Sequence, residues 1–90
     1  MAANRADRWA VAMQARTLRE VHGELTSLLP APDADLKEQH DYYTASARAY
    51  ARVAEIDRDH HHEATYWANR EREKAEEIGQ RMKGKATQSR

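Results

Sequence analysis

Pro30, Ala31 and Pro32 place the chain's only two prolines within three residues, and few other helix breakers lie on either side. A proline inside a helix removes a hydrogen bond and clashes with the turn before it, so this segment forces a stop. Three glycines and seventeen alanines among ninety residues leave both flanks free to run as long helices. So few turn formers cannot supply the connections of a β-sandwich.

The apolar spacing agrees. Val11, Leu18 and Leu25 repeat at seven, with Val21 and Leu28 interleaved, which predicts a helix over about residues 7–29. Gly23 weakens its middle by about 1 kcal/mol relative to Ala. Beyond the prolines, Asp35 followed three residues later by Glu38 reads as a capping box, with Asp33 as an alternative cap. Leu36, Tyr43 and Tyr50 then repeat at seven, with Ala47, Val53 and Ala54 on the same face, predicting a helix over about 35–56. Asp59 is a suitable cap for a third helix over about 60–83, which carries Ala64, Trp67, Ala68, Glu71, Ala75, Ile78 and Met82 on one side. Gly84 is expected to end it, leaving a polar, basic tail over 84–90.

The expected fold is therefore an all-α, single-domain, three-helix bundle. The alternatives are a hairpin with one long helix continuing through the histidines, or a tetratricopeptide-like helix pair plus an N-terminal helix. The large apolar residues number nineteen, Trp and Tyr included, and alanine buries little area. A chain this short buries only about 60–65% of its unfolded surface, which makes association a route to further stability.

Other classes are excluded by simple counts. Fifteen Lys and Arg balance fifteen Asp and Glu, which argues against a surface built throughout for nucleic acid or anionic lipid. Without cysteine there is no disulfide framework, thiolate metal site or cysteine nucleophile. No apolar run approaches the roughly 18 residues of a membrane span, and the N-terminal segment lacks the apolar block of a signal peptide. The expected compartment is the cytoplasm.

The charge is unevenly laid out although it sums to zero. Residues 1–20 hold four basic and two acidic groups (+2), residues 21–63 four and nine (−5), and residues 64–90 seven and four (+3). Arg81, Lys83, Lys85 and Arg90 stand in the last ten residues without an acid.

His60, His61 and His62 form the most conspicuous cluster. Consecutive helical residues point about 100° apart, so the three cannot share one ion. Asp59 with His62 or Glu63, and His60 with Glu63, have one-turn spacing, which makes Asp59, His60, His62 and Glu63 the candidate metal-binding or pH-responsive set. Two ligands do not make a site, and the bland reading is a polar corner between helices. No hydroxyl or carboxylate spacing singles out a nucleophile or an acid–base pair, so no enzyme, catalytic residue or cofactor is expected.

Tyr43, Tyr50 and Trp67 fall on inner faces. Trp9, Tyr42 and Tyr66 fall off the stripes and are the candidate interface anchors, since an exposed aromatic beside an arginine is a common hot spot. The basic tail, without interleaved aromatics, gives only a weak nucleic-acid signal.

Ala47-x-x-Tyr50 with Glu63-Ala64-x-Tyr66-Trp67 is similar to the helix pair of a tetratricopeptide repeat, although the connection is about five residues too long and the Gly and Pro markers are missing. A helical hairpin of this length also resembles the secreted partners of type VII secretion, without their Trp-x-Gly at the turn. Arg16-Thr17-Leu18-x-Glu20-x-His22, and then Tyr50-Ala51-x-Val53-Ala54-Glu55-Ile56-Asp57-Arg58-x-His60-His61-His62-Glu63-Ala64-x-Tyr66-Trp67, resemble small uncharacterised actinobacterial helical proteins over about residues 16–78. That resemblance implies a bacterial cytoplasmic protein and brings no activity or residue role with it. The expected role is a non-enzymatic interaction or regulatory module, binding a protein partner or a second copy of itself through helix faces.

Overall fold

The structure, a computed structural model, describes residues 5–88, with side chains described as far as Gly84. It is all-α: α1 (Arg5–Met13), α2 (Leu18–Leu28), α3 (Leu36–Ile56), a single 3-10 turn (Arg58–His60) and α4 (His61–Gln88). No strand occurs among the described residues, and none of their helices is long and apolar enough to cross a membrane. Residues 1–4 and 89–90, the outermost parts of the expected start and tail, lie outside the described residues.

The first expected helix is two helices, which makes the bundle four-membered. The break is built by Thr17, whose extended backbone (φ −129°, ψ 156°) and side-chain oxygen cap α2 by accepting the Glu20 amide. Glu20 reaches back to within 3.4 Å of the Arg16 amide. Thr17-x-x-Glu20 is thus a near capping box inside what reads as one stripe. The consequence is a change of face. Val11, expected inside, is 53% exposed, and Ala12 and Ala15 are buried in its place. Leu18, Val21, Leu25 and Leu28 of α2 are buried as their spacing predicts.

Pro30 holds Leu29 in an extended conformation (φ −57°, ψ 128°), and α2 ends there. Pro32 and Asp33 occupy the middle of a turn closed by the Ala34 amide on the Ala31 carbonyl (3.0 Å). Asp35 then caps α3 through the Glu38 amide at 2.8 Å, as its spacing to Glu38 implies.

Helices α3 and α4 form the long antiparallel hairpin on which the rest is built. His61 lies on the Ala54 carbonyl, Trp67 stacks on Tyr50, and His40 lies 3.6 Å from where a Cβ on Gly79 would stand, which fixes the antiparallel register. The reversal is made by Asp57 and the 3-10 turn, so Asp59 lies within that turn instead of capping α4. Ala64, Ala75 and Ile78 are buried along α4 as expected, with Trp67, Ala68 and Glu71 half-buried. Helix α4 continues through Gly84 to Gln88, where a stop is expected. No described glycine has positive φ, so Gly84 makes no left-handed cap, and its cost of about 1 kcal/mol is spread over a 28-residue helix.

The short pair α1 and α2 packs mainly against α3. The main core joins Ala12 and Ala15 to the α2 leucines and Val21, to Tyr42, Ala49, Tyr50, Val53 and Ala54 of α3, and to Ala64. The result is a thin slab, 49 × 36 × 16 Å, with a Cα radius of gyration of 14.3 Å.

Candidate functional site

Three surroundings collect the residues that the sequence marks. The first is the histidine corner. Asp57, the first residue of the reversal after α3, accepts the Leu18 amide at 2.9 Å, so a carboxylate from one end of the hairpin caps the start of α2. His60 Nδ1 stands 3.0 Å from both Asp57 oxygens. The Leu18 amide and then the His60 ring hold the Asp57 carboxyl below its ordinary range, and Asp57 in turn raises the His60 imidazole. His61 donates to the Ala54 carbonyl at 2.7 Å, and His62 lies edge-on to His61.

The expected pairings of Asp59, His60, His62 and Glu63 with one another are not the ones formed, because the 3-10 turn brings His60 back onto Asp57. Among the described residues no three His, Asp or Glu side chains converge into a set that could hold a metal ion. A 650 Å³ cleft opens beside this corner, bordered by Leu18, His22, Asp57, His60 and Glu63.

The second is an aromatic knot. The Tyr50 hydroxyl meets His22 Nδ1 at 2.6 Å, and the His22 ring lies edge-on to both Tyr50 (5.3 Å) and Trp67 (5.0 Å). Burial, and then the nearby Glu71 charge, push the Tyr50 hydroxyl far above its usual range. Burial also raises the Glu71 carboxyl itself. With its hydroxyl held neutral and its ring packed, this group braces α2 against α3 and α4.

The third is a cleft between α1 and the first half of α3, walled by Trp9, Met13, Tyr42 and Ala45. Tyr42, expected as an exposed anchor, is only 6% exposed. Its hydroxyl donates to the Leu25 carbonyl at 2.9 Å and is pushed up to about 12, first by burial. Its ring is part of the core, and it is no free anchor. Trp9 is half-buried, its ring tilted on Tyr42 with centroids 5.8 Å apart, and it faces the cleft. Tyr66 is 57% exposed on the solvent side of α4, its oxygen accepting from Arg70, whose guanidinium also lies over the Trp67 ring. Trp9 and Tyr42 therefore share one cleft, whereas Tyr66 stands apart on α4, so the three form no common patch.

Asp57 and Arg52 are the residues that spacing alone did not mark. Arg52 donates to the Ala15 carbonyl at 2.6 Å, so the α1–α2 connector is held from α3 while Asp57, just past α3, holds the start of α2. Both contacts join residues 37 or more positions apart, and no local pattern carries them. No family model, curated protein or solved structure matches the chain.

Proposed function

We propose that this protein is a non-enzymatic interaction module of the bacterial cytoplasm that docks through its helix faces, with a second copy of itself as the partner its charge layout fits. The observation that supports this reading is the slab's unburied area. A compact chain of 10.4 kDa exposes about 5,400 Å², whereas this one exposes 6,501 Å². Its radius of gyration of 14.3 Å likewise exceeds the roughly 12 Å of a compact 90-residue domain. The excess is about 1,100 Å², comparable with the ~800 Å² that each partner contributes to a standard interface. An acidic middle (−5) between basic ends (+2 and +3) favours antiparallel docking of like chains.

Light scattering across a tenfold dilution, with and without EDTA, tests this. A mass above 10.4 kDa that falls on dilution and ignores EDTA is the expected result. A constant monomer mass overturns self-docking.

The His60–Asp57 contact favours a second reading, a pH-responsive module. Protonation of His60 strengthens its hold on the carboxylate that caps α2, which ties proton uptake to the seating of α2 on the hairpin.

A further inference from the structure

Helix α1 and the first half of α3 enclose a cleft of 570 Å³ whose aromatic wall is the Trp9 ring lying on Tyr42. Asp35, Glu38 and Asp41 stand on its rim. The two cations beside them are engaged inside the chain, Arg5 with the Leu28 carbonyl and Lys37 with Asp41. Asp35 is occupied in capping α3. The Glu38 carboxylate makes no hydrogen bond or ion pair among the described residues. An aromatic face beside an unengaged carboxylate suits a cation on an apolar stem, an arginine or lysine side chain.

The chain carries such groups at its other end. Arg81, Lys83, Lys85 and Arg90 lie in a stretch without acids, α4 stays helical to Gln88, and Arg81 is exposed on it. A molecule cannot fill its own cleft with this segment. Helix α4 meets α3 at Ala54, Tyr50 and His40, and at 100° per residue Glu38, Asp41 and Ala45 lie on the opposite flank. Cleft and basic segment nevertheless sit at the same end of the hairpin. A two-fold axis near that end brings each copy's basic segment to the other's cleft, twice per dimer.

We infer that the Trp9–Tyr42 cleft, with Glu38 on its rim, is the receptor for the basic end of α4 from a second copy of this chain. The inference rests on the self-docking reading above and assigns it a place. Sedimentation velocity of the full chain, in the wild type, Glu38→Lys, Arg81→Glu and the double variant, tests it. Both positions are exposed and outside the core, and circular dichroism checks that each variant keeps its helices.

Each single reversal is expected to raise the dimer Kd by about tenfold or more, with partial recovery in the double variant. A dimer indifferent to both reversals overturns the cleft assignment and leaves self-docking standing on another face. Weakening in the singles without recovery overturns the pairing of these two ends. A wild type that is monomeric at every concentration overturns both readings.

Discussion

The Asp57 carboxylate receives the Leu18 amide on one oxygen and the His60 ring on both, so one side chain joins the hairpin corner to the start of α2. Its dependence on pH has a definite sign. The folded His60 value is raised, so its contribution is complete below the ordinary imidazole range near 6.5 and fades as pH rises through the raised value. The folded Asp57 value is lowered, so its contribution is complete above the ordinary carboxylate range near 3.8 and fades as pH falls through the lowered value. The pair is therefore at full strength between those limits. The Tm difference between wild type and His60→Gln is expected to be largest between about pH 4 and 6.5 and to shrink above that window. A difference that grows towards alkaline pH would contradict the contact. Asp59 and Glu63 lie close enough to raise His60 further.

Among the elements, α2 shows how a short helix is secured from outside. Its start is capped locally by Thr17 and remotely by Asp57, and its inner side is four buried apolar residues. Thr17→Ala is expected to cost about 1 kcal/mol, read as a lower midpoint in urea with an unchanged slope; no shift would mean that Asp57 alone suffices. Most of this element was legible in the sequence, since Leu18, Val21, Leu25 and Leu28 keep their spacing. The break before it was not. Val11 continues the repeat of seven arithmetically, and only the Thr17–Glu20 pair shows that the chain turns between them. The Asp35 cap of α3 was legible because its partner is three residues away, whereas the Asp57 cap of α2 was not, because its partner is 39 positions away. The burial of Tyr42 escapes the local pattern for a related reason: only when α1 and α2 fold back over α3 does its off-stripe position become interior. Gly84 does not stop α4, since a glycine ends a helix by adopting positive φ, which this one does not.

At the scale of the whole molecule, the controlling fact is thinness. Nine of the seventeen alanines lie on α3 and α4 and suit close packing of the two helices, but they bury little area, and the two short helices cover mainly α3. The slab is 16 Å thick and keeps about 1,100 Å² more surface exposed than a compact chain of its mass. Docking of a second copy would bury much of that excess, with opposite charges setting the orientation. Small-angle X-ray scattering over a dilution series reads mass and shape together. Forward scattering that rises from 10.4 kDa in dilute solution towards twice that value, from a flat monomer to a dimer, is the expected result. A mass fixed at 10.4 kDa across the series, with a radius of gyration near the roughly 12 Å of a compact chain, would contradict both the slab and its self-docking.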